Sequence, residues 1–518
     1  MKKIGIPIFL IILTVVSLMY RLYGLNKAVP FWVDEFSTAE QARLLLTYGL
    51  SVFTHHEYYF EFHNITPHIL SAISFSLLGK STFAARLPIA LTGSFIPLCV
   101  FILTQYLFNR RTAVAASLLS AFAYIEIVWS LQARGYVIQQ ILTLLTLFVY
   151  YKLFDKKKLE KKYIVFIIIL GVLGIMTHVF YFLLLTALCI HWTIFYAKNF
   201  KHILRNPFIY VIPLIILAYL FFNGTLSDLL RAIRSGMLQF HNSFWYYHSF
   251  LWREYGVLTV LTVLGLILAL SRDLKKTSLI LLFICIHLFF IGGIFGHYIS
   301  KYTLPIFPFL FIFPAYVFTS IANWATDPLH GKYRKILCYS LPILLALFII
   351  ANGYKFVTKP KKYYSVNHDF REIANIDYNE VYNLIHTKGK LTEGKTAVID
   401  TWPDRIKWYL PENDKNNYIF RWIHDTDPHK ITTYTVNTEG EKKVIGSKTY
   451  RLIGDLSDLQ KALRKYPKGF IFIDDTTLPK DVIEYAQKHF KKELYLDHYP
   501  LDDNPYSIWP ATLYSWGI

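Results

Sequence analysis

The 518-residue chain lacks several groups on which soluble enzymes and secreted domains commonly rely. It has four cysteines, Cys99, Cys189, Cys285 and Cys338, all inside apolar segments where a thiol packs as a small hydrophobe. None follows Cys338, so the remainder of the chain does without disulfides. No glycine-rich phosphate loop occurs, because Gly331-Lys332 and Gly79-Lys80-Ser81 lack the preceding strand and glycines of a nucleotide site. Internal repeats and low-complexity tracts are also absent. Acid is scarce: 35 Asp and Glu against 54 Lys and Arg leave a net charge of +19. The excess cations sit in short loops between apolar segments and not on a continuous face, which excludes a nucleic-acid partner and points to membrane orientation.

What is abundant is apolar surface. With 54% hydrophobic and 17% aromatic residues, the chain reads as a polytopic α-helical membrane protein. Spans fall at roughly 4–22, 84–107, 112–130, 136–154, 162–177, 179–196, 207–222, 256–270, 278–295, 303–321 and 336–353, each near the ~20 residues needed to cross. Alternate loops are then Asn109-Arg110-Arg111, Asp155 to Lys162, Lys198 to Arg205, Ser271 to Lys276 and Lys332 to Lys335. All are basic, and all fall on the cytoplasmic side with Lys2 and Lys3, as the positive-inside rule requires. About 11 crossings place the C-terminus outside. The first segment has no small-residue cleavage site after it and is expected to be a retained anchor.

The stretch Thr66 to Gly79, about 14 residues, is too short to cross and suits a helix lying in the interface. Counting it as a span would invert every later loop. The expected organisation is a transmembrane domain over 1–354 with long external loops at 26–83 and 223–255, followed by an extracytoplasmic α/β domain over 355–518. In that domain strands are expected at Lys395–Asp400, Asn417–Ile423, Gly469–Asp474 and Glu493–Tyr499, with helices at Pro403–Leu410, Leu456–Lys465 and Pro479–Phe490. Its strand-end acids Asp400, Asp474 and Asp475 are expected to be solvated.

Directly after the first span comes Phe31-Trp32-Val33-Asp34-Glu35-Phe36. Two adjacent carboxylates at the outer membrane surface are costly to bury without a purpose, which makes Asp34 and Glu35 candidate functional residues. Two further external clusters follow. One is His63-Asn64-Ile65-Thr66-Pro67-His68, continuing to Arg86-Leu87-Pro88, and the other is Ser130-Leu131-Gln132-Ala133-Arg134-Gly135-Tyr136.

This order over roughly residues 1–320 resembles the GT-C superfamily of polyprenyl-phosphate-sugar-dependent membrane glycosyltransferases. It is most similar to the branch related to protein O-mannosyltransferases and lipid A aminoarabinose transferases of bacteria and archaea. In that branch an acid follows the first span, a polar-Pro motif opens a juxtamembrane helix, and a Ser-x-x-Ala-Arg-x-Tyr element follows the third span. The resemblance implies a donor in which a sugar is linked to polyprenyl phosphate, and a glycan, lipid or protein acceptor at the outer face of the bilayer. Asp34 matches the general base, with Glu35 as its neighbour in the acidic pair. An acceptor hydroxyl is a poor nucleophile near neutral pH, and such a base takes its proton during attack. The leaving lipid phosphate needs cations, a role implied for Arg134, Lys301 and His63, with Tyr302 completing a Lys-Tyr element after Gly296-His297-Tyr298. Tyr58, Asn64, Gln132, Tyr136 and Trp245 are assigned to the substrate.

The chain departs from the pattern in two places. Gln132 stands where many relatives carry Glu, and His63-Asn64 stand where relatives with a Lys-Pro-Pro motif carry a cation. A divalent metal held by Asp34 and His63 and a metal-free site both stay open. So do two other functional classes, a transporter or flippase for a lipid-linked sugar and a non-catalytic scaffold. The near absence of midspan charge argues against the first, since only Glu126 intrudes, near an outer end. The second leaves the external clusters unexplained. The expectation is an inverting glycosyltransferase in a prokaryotic plasma membrane, with Asp34, Arg134 and Lys301 converging on one outward cavity. The C-terminal domain is expected to recognise or position the acceptor.

Overall fold

The structure is a computed structural model. It describes residues 5–23, 25, 31, 33–53, 64–154, 160–196, 240, 242–295, 300–353, 355–358, 378–389, 391, 395–401, 403–410, 417–420, 434–436, 442–444, 451–474, 479–498 and 509–518. The chain divides into two compact units. The first comprises Met1–Leu25, Phe62–Leu70 and Arg86–Lys361; the second comprises Asn26–Glu61, Ser71–Ala85 and Lys362–Ile518.

The first unit is a helical bundle, and the protein is an integral membrane protein. Among the described residues six helical segments are long and apolar enough to cross a bilayer: Gly5–Leu22, Thr82–Leu107, Tyr136–Phe154, Phe244–Arg272, Leu274–Ile294 and Gly331–Asn352. A seventh arises if the pair Ser300–Ile306 and Phe309–Ala325, bent by 50°, forms one span. Helices Lys161–Thr177 and Tyr181–Tyr196 occupy two further expected spans. The expected span at 207–222 lies outside the described residues. Ile65–Leu78 is a 14-residue apolar helix, the length read from the sequence.

Two expectations need correction in this unit. The third span is not one helix: Arg110–Phe122 and Tyr124–Ser130 are separated at Ala123, whose backbone is extended (φ −66°, ψ 123°). The break is filled by chain following the last apolar helix. Tyr124 N–H donates to Lys355 O (2.9 Å) and Val357 N–H to Phe122 O (2.8 Å), so the polar groups freed by the break are satisfied inside the protein. Lys355 is fixed there by an ion pair with buried Glu254 (2.9 Å). Of the second expected loop, residues 240 and 242–255 are described, and these are more regular than expected. Residues from Phe244 are already helical and continue through a kink at Tyr255 to Arg272.

Glu126 is fully buried, accepting from Ser120 Oγ (2.6 Å) and Gln140 Nε2 (3.0 Å). On the same helix, Ser130 Oγ accepts from Arg21 Nε at 3.1 Å. A carboxylate this deep persists because its hydrogen bonds replace water.

The second unit is built on a sheet of order β3-β4-β5-β2-β1-β6-β8-β7. The strands are β1 (Thr396–Asp400), β2 (Asn417–Phe420), β3 (Tyr434–Val436), β4 (Lys442–Val444), β5 (Arg451–Ile453), β6 (Lys468–Ile473), β7 (Lys491–His498) and β8 (Trp509–Trp516). β5, β2, β1 and β6 run parallel; β8 lies antiparallel between β6 and β7. β1 is buried along its whole length, as suits a central parallel strand. Helix Leu456–Lys465 presents Leu459 and Ala462 to a core that includes Ala397, Ile399, Ile471 and Val482. From the carboxyl end of β1 the chain passes to β2 on one side, and from β6 it passes to β7 on the other. That divergence makes the β1/β6 boundary the switch point of the sheet.

Here the third correction falls. Asp400 and Asp474 are not solvated. Both are buried around fully buried Arg405, which donates from Nη1 to Asp474 (2.8 Å) and from Nε and Nη2 to Asp400. Asp475 lies outside the described residues.

Candidate active site

In the first unit the Ser-x-x-Ala-Arg-x-Tyr element forms a tight turn between two helices. Arg134 N–H donates to Gln132 O (2.8 Å), and the next helix opens at Tyr136. Gly135 is required here: a Cβ would come 2.7 Å from Thr177 O. This close approach joins the turn to the second motif, because Thr177 Oγ1 donates to Thr66 Oγ1 at 3.0 Å. Asn64 is buried at the start of that motif. The second and third sequence clusters therefore meet in space.

Lys301 lies in the short helix Ser300–Ile306 and is buried. Its ammonium stands 5.3 Å from the Tyr136 ring centre and 5.4 Å from that of Tyr302, and the two rings are 6.1 Å apart. Ring faces beside a buried cation stabilise it through their quadrupoles. Tyr302 is held by its backbone, whose carbonyl receives His287 Nε2 at 2.6 Å. The structure thus brings Tyr136, Lys301 and Tyr302 together, with half-buried Arg134 on the turn that opens the Tyr136 helix. Gln132 is fully buried on that turn, and neither of its amide atoms has a hydrogen-bond partner among the described residues. An unsatisfied buried amide is costly, and a substrate hydroxyl would satisfy it.

One member of this cluster escapes sequence reading. His178 packs 5.1 Å from the Tyr136 ring and tilts toward Tyr302 at 6.5 Å. It sits in the one-residue gap between two apolar segments, and a polar residue at such a junction was the available signal. Trp245 is 57% exposed and lies outside this group.

In the second unit Asp34 and Glu35 occupy the first turn of helix Val33–Tyr48, where the positive end of the helix dipole favours carboxylates. Asp34 is half-buried and Glu35 fully buried. Phe31 and Phe36 flank them and enter an aromatic cluster: Phe31 to Trp408 is 4.8 Å, Phe36 to Tyr409 5.6 Å and Phe36 to Tyr378 5.7 Å. One turn further along, buried Glu40 pairs with Arg43 (2.7 Å) and Lys407 (3.2 Å). Burial alone would raise the Glu40 carboxyl, but the Arg43 hydrogen bonds and the Lys407 charge outweigh it and hold it below the ordinary range.

His63 and Tyr58 lie outside the described residues, as do Gly296, His297 and Tyr298. Of the two metal candidates, Asp34 alone is therefore described, and no group of three or more His, Cys, Asp or Glu suited to a metal occurs among the described residues.

Residues 63–223 match the family model of dolichyl-phosphate-mannose-protein mannosyltransferases. No curated protein sequence matches. Among solved structures the chain is similar to ArnT from Cupriavidus metallidurans in the apo state, at 10% identity and TM-score 0.62, covering 99% of this chain and 98% of that one. ArnT bound to undecaprenyl phosphate matches at 11% identity and TM-score 0.59, over 99% and 98% of the two chains. The archaeal oligosaccharyltransferase AglB from Archaeoglobus fulgidus, in complex with an inhibitory peptide and a dolichol-phosphate, matches at 11% identity and TM-score 0.52, over 98% of this chain and 75% of that one. The fold expected from the resemblance is borne out.

Proposed function

We propose that this chain is a GT-C-type glycosyltransferase that moves one sugar from a polyprenyl-phosphate donor to a hydroxyl of a glycan, lipid or protein at the outer face of a prokaryotic plasma membrane, a reading supported by the family-model match over residues 63–223 and by the fold. The observation that carries this reading is the buried Lys301 ammonium beside the Tyr136 and Tyr302 rings, a charge of the sign that a phosphate leaving group needs. The binding of undecaprenyl phosphate by ArnT supports a lipid phosphate as that anion. The basic loops, which all fall on one side of the expected spans, support the outward orientation.

In the reaction, the acceptor oxygen bonds to the anomeric carbon as the bond from that carbon to the phosphate oxygen breaks. Polyprenyl phosphate leaves with the electron pair, its charge met by Arg134 and Lys301. Asp34 takes the acceptor proton, with Glu35 beside it. Phosphate is a good leaving group and needs no acid to protonate it. One carboxylate serving as base, with none acting as covalent nucleophile, makes displacement direct and the product inverted. Tyr136, the buried Gln132 amide and buried Asn64 are the groups proposed to read the donor. The steps above are carried by the chain's own residues.

The test uses purified protein with a panel of polyprenyl-phosphate sugars, following release of polyprenyl phosphate and the anomer formed. Turnover of one lipid-linked donor with inversion, abolished in Asp34→Asn, is expected. Turnover of a soluble nucleotide-sugar without any lipid-linked donor would overturn the proposal, as would full activity in Asp34→Asn.

A further inference from the structure

Open α/β sheets bind ligands in the crevice at the carboxyl ends of the strands flanking a switch point. In the second unit that crevice is already filled. Asp400, ending β1, and Asp474, following β6, are both engaged by Arg405. Thr401 Oγ1 donates to Asp474 (2.8 Å), its N–H donates to Asp400 (2.6 Å), and Tyr382 donates its hydroxyl to Asp400. Every one of these groups is buried, so among the described residues none of them offers a small ligand an exposed polar partner.

What rests on this plug is the helix bearing Asp34 and Glu35. The Arg405 guanidinium lies 4.4 Å from the Tyr378 ring centre, and Tyr378 meets Phe36 edge-on. The helix Pro403–Tyr409 that carries Arg405 also supplies Lys407 to Glu40 and Trp408 to Phe31. Lys80 donates to the carbonyls of Lys407 (3.4 Å) and Trp408 (3.3 Å), and its ammonium lies 4.7 Å from the Trp408 ring centre. Phe75 packs on the same tryptophan at 6.2 Å. A buried ion network costs desolvation and contributes little net stability, but its fork geometry fixes the helix that holds it.

We infer that the ligand crevice of this sheet has been given over to holding the acid-bearing helix, and that Lys407 is a positioning residue for Asp34-Glu35. The role rests on Asp34 as the general base proposed above. It assigns the C-terminal domain to the alignment of the base, in addition to any hold on the acceptor. A shift of about 1 Å in a catalytic group can cost about 10²-fold in rate, so the clamp has a kinetic consequence even though Lys407 touches no reacting atom.

The experiment compares Lys407→Ala, Lys407→Arg, Glu40→Gln and the double variant Glu40→Gln/Lys407→Ala in full-length protein in nanodiscs, with Asp34→Asn in parallel. Lys407→Ala is expected to lower kcat about 10- to 100-fold, with donor KM unchanged within about twofold. Lys407→Arg should restore most of the loss, and the double variant should be no worse than the poorer single one. Hydrogen exchange should rise about tenfold in residues 33–48 and stay unchanged in β1 and β6. Wild-type kcat and exchange in Lys407→Ala would overturn the inference, as would exchange rising equally in β1 and β6, which marks simple loss of domain stability. An inactive Asp34→Asn beside a wild-type Lys407→Ala sinks the positioning role alone. A fully active Asp34→Asn sinks the base assignment and the positioning role with it.

Discussion

The Lys301 ammonium stands 5.3 Å from the centre of the Tyr136 ring, although 165 residues separate the two in sequence (301 − 136). If this cation receives the donor phosphate, Lys301→Met lowers kcat/KM for the lipid-linked donor about 10²- to 10³-fold. Lys301→Arg retains much more, because the charge persists. Tyr136→Phe stays close to wild type, since the ring face and not the hydroxyl meets the cation, whereas Tyr136→Ala does not. Steady-state kinetics with labelled donor check all three; equal losses in Lys301→Arg and Lys301→Met would refute a charge role.

Arg405 is fully buried between Asp400 and Asp474. Arg405→Met leaves two carboxylates without their cation and is expected to destabilise the second unit by about 3–5 kcal/mol. Replacing Asp400 and Asp474 by Leu in the same chain should return much of that loss. Pulse proteolysis in urea on the full-length protein measures both. A neutral Arg405→Met would show that the network carries no stability.

Glu493 gives a pH dependence. Burial would raise its carboxyl, but hydrogen bonds from Lys388, Ser515 and Lys491 outweigh this and hold it at about 2, below the ordinary 4.5. Because the folded value is the lower one, the stabilisation is fully present above the unfolded value and is lost as pH falls from about 4.5 through about 2. Glu493→Gln should flatten stability across that window and leave its slope above pH 6 unchanged. Denaturant midpoints taken across the range decide it; parallel curves for both proteins would contradict the assignment.

Gly265 lies where helix Phe244–Arg272 meets Phe309–Ala325, and a Cβ there would stand 2.5 Å from Phe313 O. The obstacle is backbone, which cannot rotate aside. Gly265→Ala is expected to cost about 1–3 kcal/mol by forcing the helices apart. A thermal unfolding midpoint in detergent equal to wild type would contradict the packing.

The sequence by itself determined most of the secondary structure and the class of the protein. Apolar runs with basic punctuation mark membrane helices, since hydrocarbon tolerates neither charge nor unpaired backbone, and this places Gly5–Leu22 and Tyr136–Phe154 nearly to the residue, while Gly331–Asn352 begins five residues before the expected span. Alternation and end signals likewise locate β1, β6 and helix Leu456–Lys465. The β8 strand is hidden, because Trp509-Pro510 looks like a breaker and only its pairing with β6 and β7 makes it a strand. Long-range partnership was decided by tertiary structure alone. The break at Ala123 depends on residues 355–357 filling it, and the acids of Asp400 and Asp474 are buried because one arginine reaches both. Likewise His178 joins Tyr136 and Tyr302, and the Asp34-Glu35 helix docks on Trp408, through contacts between segments far apart in the chain. Local pattern records what each residue wants from solvent, lipid or the next turn; which distant side chain satisfies it depends on how the elements pack.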